Sequence, residues 1–253
     1  NEDENFDEFK YLTELRKYNY EKDIIVPLIN DGKVVSYKSS EYAKDMGTPE
    51  RYRRVQEDYN SGICDAKNLA NKQKAIFLDR DGTINEYVGF LRKEEDFRLI
   101  PGVSEAIKKI NNSGYLAIVV TNQPVIARGE VTEEELEEIH KKMETLLGLD
   151  GAYIDDIYYC PHHPDKGFEG EIPELKIECD CRKPKTGMLE KAAREHNIDL
   201  SSSIMIGDST LDIKMAENAG MQSVLLKTGQ KGEDGKYDVS PTLIAEDLND
   251  AIN

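Results

Sequence analysis

Four apolar residues, Ala75 to Leu78, end abruptly in two carboxylates one residue apart, Asp79 and Asp81, followed by Gly82 and Thr83. A run this short and this apolar reads as a strand buried on both faces. In an open α/β sheet ligands bind beyond the carboxyl ends of the strands, which places both acids in that crevice. Two acids there suffer desolvation and mutual repulsion unless a cation or a proton compensates. Asp-Gly is also ordinary turn chemistry, so the rest of the chain must decide between a site and an acidic turn.

The rest of the chain sets limits first. Its 253 residues suit one domain with an appendage, or two small domains. A formal net charge of -17 argues against nucleic acid as a partner, because binding a phosphate backbone needs a basic face. A small phosphorylated substrate needs only a local positive cluster and stays open. No apolar run approaches the roughly 18 residues of a membrane span, and no signal-peptide pattern opens the chain. The first residue is Asn1 rather than Met, consistent with a piece of something longer. Three of the four cysteines crowd between 160 and 181 beside His162 and His163, which suggests a metal site in a reducing compartment. A cytoplasmic protein is the simplest account.

Periodicity divides the chain into a front piece (1–60), a polar linker (61–73) and a strand–helix alternation (74–253). In the front piece Phe6, Phe9, Leu12 and Leu15 outline a modest helix. Ile24 to Ile29 and Val34 to Tyr37, flanking Asn30, Asp31 and Gly32, predict a hairpin. Thr48 and Pro49 start a helix reaching about Tyr59, so the appendage reads as α+β. From Lys74 the alternation predicts a Rossmann-like parallel sheet covered by helices on both faces. Helices are expected from Val103 to Ile110, from a capping box at Thr132 and Glu135 with Leu136, Ile139, Met143 and Leu146 inward, from Gly187 to His196, and from Leu211 to Ala219. Strands are expected at Leu116 to Val120, Ile154 to Tyr159, Ser203 to Ile206 and Ser223 to Leu226.

Three of these strands end in polar chemistry: Asp79 and Asp81, then Thr121, then Asp208. Lys183 follows the cysteine-rich stretch. The order DRDGT (79–83), TNQ (121–123), a lysine, and GDSTLD (207–212) resembles the haloacid dehalogenase superfamily of phosphohydrolases over residues 74 to 252. IARG (126–129), CPHHP (160–164) and CDCRKPKTGM (179–188) narrow the resemblance to the D,D-heptose 1,7-bisphosphate phosphatases, a branch shared with histidinol-phosphate phosphatases. The resemblance implies a magnesium-dependent phosphatase acting on a small sugar bisphosphate. Asp79 would be the nucleophile forming an aspartyl-phosphate, and Asp81 the acid and base. Magnesium would sit on the Asp79 carboxylate, the Asp81 backbone carbonyl and the Asp208 carboxylate. Thr121 and Lys183 would bind the phosphoryl oxygens, while Asn122, Gln123, Arg128 and Arg182 would contact the substrate. Asp212 is either a partner of this site or a solvent-facing acid.

Cys160, His162, Cys179 and Cys181 supply a Cys3His set, a regular structural zinc ligand combination. Sixteen residues lie between His162 and Cys179, a loop long enough to need a staple. His163 competes for the fourth place, and the family pattern favours His162. Cys64 is a lone free thiol. No helical cap fits between Thr83 and Pro101, so the site should be open, walled by the cysteine loop. Where the family usually has Ser-Gly, this chain has Pro124 and Val125, which stiffens a substrate-facing loop and adds a β-branched side chain. Residues 24–59, especially 39–55, resemble the tail of a sugar-phosphate nucleotidyltransferase, whose own glycine-rich loop and metal-binding acids have no counterpart here. Histidinol-phosphate phosphatase remains the enzymatic alternative. A non-catalytic zinc-stapled module tethering a nucleotidyltransferase is the non-enzymatic one.

Overall fold

A computed structural model of the chain describes residues 19–35 and 39–253. The chain forms two compact units, residues 1–38 and 39–253. In the first, a π-helical turn Tyr20–Ile25 runs into α1 (Val26–Asn30). The expected hairpin is therefore incorrect: Ile24 to Ile29 are helical, and Val34 and Val35 join no strand. Pro27 in the first turn of α1 gives the physical reason, since proline suits a helix start and removes a ladder donor from a strand. The appendage is helical among its described residues. The helix expected around Phe6 to Leu15 lies outside them.

The second unit opens with α2 (Pro49–Asn60), capped by the Thr48 hydroxyl, and α3 (Ile63–Ala66). The expected divisions at residues 60 and 73 thus fall inside this unit. Lys67 is buried there, its Nζ 2.7 Å from the Tyr153 hydroxyl and 3.9 Å from Asp155. Then follow β1 (Ala75–Leu78), α4 (Val103–Asn111), β2 (Leu116–Asn122), α5 (Pro124–Ala127), α6 (Glu133–Leu149), β3 (Asp156–Cys160), α7 (Gly187–Glu195), β4 (Ile204–Gly207), α8 (Thr210–Ala219), β5 (Gln222–Leu226), β6 (Leu243–Ala245) and α9 (Leu248–Ala251). All six strands are parallel, in the order β3-β2-β1-β4-β5-β6.

Every residue of β1 is buried, as a central parallel strand requires. Its side chains alternate between two cores. Ile76 and Leu78 join Ile107, Ile139, Met143 and Leu248, from α4, α6 and α9. Ala75 and Phe77 join Leu189, Ala192, Met215 and Ala216, from α7 and α8. Leu147, rather than Leu146, is the fourth buried apolar residue of α6, whose capping box forms as expected. The chain leaves β1 toward β2 on one side and returns to β4 on the other. This order reversal opens a crevice at the carboxyl ends of the central strands.

Candidate active site

Asp79, the first residue past β1, donates its backbone N–H to the Ile206 carbonyl of β4 at 3.0 Å. Lys183, just before α7, is buried beside it. The Lys183 Nζ donates to Asp79 Oδ1 at 2.7 Å, to Asp212 Oδ1 at 2.6 Å and to the Val120 carbonyl at 3.0 Å. An ammonium has three protons, so all are engaged within the protein. Burial works against this charge, yet Asp212 and Asp79 outweigh it and raise the ammonium's pKa above its ordinary value.

Ligand oxygens of Asp79, Asp208 and Asp212 lie within 4.8 Å of one another. Asp212 is fully buried and accepts from the Ser209 backbone N–H at 3.1 Å and from its hydroxyl at 2.5 Å. It is an interior anchor for Lys183, which settles the choice against a solvent-facing acid. Asp208 is also fully buried; Oδ2 accepts from the Gln230 N–H at 2.6 Å, while Oδ1 has no hydrogen-bond partner among the described residues. Three carboxylates thus face one ammonium. Burial, opposed by Lys183 and reinforced by Asp212, pushes Asp79 up to about 7. Burial together with Asp79 and Asp212 pushes Asp208 up to about 8. A buried all-oxygen cluster short of positive charge, with one oxygen open, fits a hard divalent cation such as Mg²⁺.

Asp81 is held differently. Its carboxylate accepts from Arg80 Nη2 at 2.8 and 3.1 Å, from Asn85 Nδ2 at 2.9 Å and from Gln123 Nε2 at 2.9 Å. Burial would raise this carboxyl, but Arg80, Asn85 and Gln123 hold it below the ordinary range. Arg80 is completely buried, and no pattern in the sequence marks it as a partner of the site. Gln123 Nε2 also donates to Thr121 Oγ1 at 2.9 Å, so the amide expected to meet substrate orders the two groups beside it. Asn122 brackets the Lys183 backbone, accepting its N–H at 3.0 Å and donating to its carbonyl at 3.3 Å.

A cavity of about 180 Å³ opens over these groups, lined by Asp79, Asp81, Thr121, Arg128, Arg182 and Lys183 among others. It also takes in Tyr87, Phe90 and Lys236, which sequence reasoning left aside, and His163, which it weighed only as a zinc ligand. The Arg128 guanidinium stacks 4.2 Å from the Phe90 ring centre and 4.5 Å from that of Phe168, and its buried Nε has no hydrogen-bond partner among the described residues. Arg182 Nη1 donates to the His162 carbonyl at 3.2 Å. Pro124 opens α5 at the cavity wall, but Val125 is buried in a separate cluster with Ile126, Val131 and Leu136. The expectation that Val125 adds bulk to the substrate-facing surface is therefore corrected. Its side chain belongs to the core.

Cys160, His162, Cys179 and Cys181 converge with ligand atoms within 4.8 Å. The three Sγ–Sγ separations are 3.2, 3.3 and 3.5 Å, and His162 Nδ1 lies 3.3 Å from Cys181 Sγ. Tetrahedral zinc with bonds of about 2.3 Å puts its sulfurs about 3.8 Å apart, so the cluster could hold such an ion with slight expansion. His163 is not part of it: its Nδ1 accepts from the Asp165 N–H at 3.2 Å and its ring meets Phe168 edge-on.

The HAD-hydrolase-like family model matches residues 180–251. The D-glycero-beta-D-manno-heptose-1,7-bisphosphate 7-phosphatase of Haemophilus ducreyi is 44% identical over 160 residues, covering 62% of this chain and 85% of that protein. The D-glycero-alpha-D-manno-heptose-1,7-bisphosphate 7-phosphatase of Photorhabdus laumondii is 44% identical over 160 residues, covering 63% and 85%. The crystal structure of D,D-heptose 1,7-bisphosphate phosphatase from B. bronchiseptica, complexed with magnesium and phosphate, superposes with a TM-score of 0.62 at 33% identity, covering 71% of this chain and 96% of that one. With the relatives matched over most of their length and the acids standing at the strand ends where such chemistry is built, this chain belongs to the heptose-1,7-bisphosphate 7-phosphatase family of HAD-like phosphatases.

Proposed function

We propose that this protein removes the C7 phosphate of a D-glycero-D-manno-heptose 1,7-bisphosphate through an aspartyl-phosphate on Asp79, in the synthesis of nucleotide-activated heptose. The observation that carries the chemistry is the uncompensated cluster of Asp79, Asp208 and Asp212 around Lys183, with Asp208 Oδ1 left open. An Asp79 oxygen attacks phosphorus as the bond to the sugar oxygen breaks. Asp81 gives its proton to the departing alkoxide, then takes one from the water that cleaves the aspartyl-phosphate and frees inorganic phosphate. Arg80, Asn85 and Gln123 hold Asp81 ionised. The dianionic phosphoryl group entering beside it adds negative charge and drives the carboxyl toward its protonated form. Thr121 and Lys183 line the phosphoryl position, and Lys183 also keeps Asp79 oriented. A magnesium ion held by Asp79, the Asp81 carbonyl and Asp208 would offset the charge of the phosphoryl group.

Arg128 and Arg182 are the positive groups placed for the sugar or its second phosphate, with Asn122 and Gln123 acting mainly through Lys183 and Asp81. A structural zinc ion on Cys160, His162, Cys179 and Cys181 would staple the loop between them. The decisive experiment is phosphate release with Mg²⁺ across both anomers of the bisphosphate and histidinol phosphate. Preferential turnover of a heptose bisphosphate is expected. Faster turnover of histidinol phosphate would replace the substrate, and no release from any of them would favour the tether reading.

We further assign the phosphatase to residues 74–253, and residues 1–60 to a nucleotidyltransferase tail whose catalytic part lies upstream in a longer polypeptide. This chain alone should show no nucleotidyl transfer; detectable transfer would refute that assignment. Among the described residues no helix is long and apolar enough to cross a membrane, and free thiols suit the cytoplasm. Recovery in a membrane or periplasmic fraction would contradict that location.

A further inference from the structure

Residues 228–237, between β5 and β6, enclose Asp208 from several directions. Gln230 donates its N–H to Asp208 Oδ2 at 2.6 Å, and Gly232 donates its N–H to the Asp208 carbonyl at 2.8 Å. Gly229 has φ +50°, and a Cβ there would fall 2.0 Å from Asp208 Oδ2; at Gly82, with φ +89°, it would fall 2.2 Å away. Only residues without side chains let two backbones close on one carboxylate in this way. The Thr228 hydroxyl joins those backbones, donating to the Gly82 carbonyl at 2.6 Å. Farther along, Asp234 accepts from both the Thr210 N–H and the Thr210 hydroxyl at 2.7 Å. Thr210 is the first residue of α8 and stands two places after Asp208. The Tyr237 N–H adds a longer contact to the same hydroxyl at 3.3 Å.

We propose that segment 228–237 is an orienting clamp for Asp208, and that Asp234 is the pin that fastens it. Asp234 lines no part of the catalytic cavity and belongs to neither metal-ligand set. It acts through Thr210 and the loop backbone, so it is a positioning residue. With Oδ2 held by the Gln230 N–H and hemmed by two glycines, the carboxylate keeps one orientation. Oδ1 then remains as its open coordination position. A ligand fixed before the ion arrives gives up little freedom on binding it, which is how such outer partners raise metal affinity. The inference rests on the magnesium reading of Asp79 and Asp208.

The test is calorimetric Mg²⁺ binding to the substrate-free full chain, beside the Mg²⁺ dependence of phosphate release, for wild type, D234A and D234N. D234A should bind Mg²⁺ about tenfold more weakly, with kcat at saturating Mg²⁺ little changed. D234N keeps one acceptor for the Thr210 N–H and should recover much of the affinity. If D234A does not fold, T210V carries the test, because it removes the hydroxyl bond to Asp234, together with the longer Tyr237 contact, and keeps the Thr210 N–H bond. Wild-type Mg²⁺ affinity in the folded variant, or D234N binding no better than D234A, overturns the clamp alone. A wild-type protein that binds no Mg²⁺ removes the metal reading and the clamp with it.

Discussion

The charges around Lys183 do not balance within the protein, and that imbalance makes single substitutions informative. Asp79→Asn should abolish phosphate release, because an amide cannot form the aspartyl-phosphate. It should also leave the metal-free melting temperature equal or higher, since one of three clustered carboxylates becomes neutral. Turnover retained by D79N would remove Asp79 from the nucleophile's role. Lys183→Met should do the opposite to stability, lowering it by about 3–5 kcal/mol, because it strands Asp79 and Asp212 without their cation. Denaturant melts measure this directly. The pH dependence has a definite sign. Asp79 and Asp208 are pushed up to about 7 and 8, well above a free carboxyl. Their contribution is therefore present below about pH 4 and is lost as pH rises through 7 and 8. Mg²⁺ replaces the displaced protons, so the melting-temperature gain from Mg²⁺ should be larger at pH 8.5 than at pH 6. An equal gain at both pH values would count against metal binding by these acids. Asp79, Asp81 and Asp208 were legible in the sequence because each follows a short apolar run. Arg80 was not, and Gln123 was read as a substrate contact and not as a partner of Asp81, since both contacts with Asp81 are tertiary and no spacing encodes them.

At the scale of elements, the loop between Cys160 and Cys181 joins one expected metal set to the cavity wall through Phe168, which stacks on Arg128. Treatment with a zinc chelator, or replacing Cys179 with Ser, should expose residues 161–178 to limited proteolysis. It should also raise KM for the bisphosphate more than it lowers kcat, because Asp79 and Lys183 are held by β4 and β2 and Asp81 by Arg80. Protection unchanged by a chelator strong enough for zinc would argue that packing alone orders the loop. The central strands were legible from their continuous apolar runs, and α6 from its capping box. Strand β6 was missed because it has three residues, two of them exposed, at the sheet edge. Pro27 was a signal against the hairpin that the turn-like Asn30 to Gly32 obscured.

For the molecule as a whole, the compact unit starting at Ser39 matters more than the strand starting at Ala75. A chain of residues 39–253 should keep both activity and stability. Cutting instead to 74–253 removes Lys67 and leaves Asp155 buried without its cation, although burial already raises that carboxyl. A loss on the order of 3 kcal/mol is expected, read as a lower denaturation midpoint. Equal midpoints for the two truncations would show that residues 39–73 contribute nothing.

The cysteine loop leaves the sheet at Cys160, away from the strand ends that carry the acids, which has a consequence for how such an enzyme changes over generations. The acids proposed for the reaction are anchored to β1, β4 and α8, whereas Phe168 and Arg182 belong to a segment gathered by its own Cys/His cluster. Mutations in 161–178 can therefore accumulate without disturbing the reacting groups, and preference can drift while chemistry is inherited intact. Grafting that segment from a relative named for the other anomer is the matching laboratory experiment.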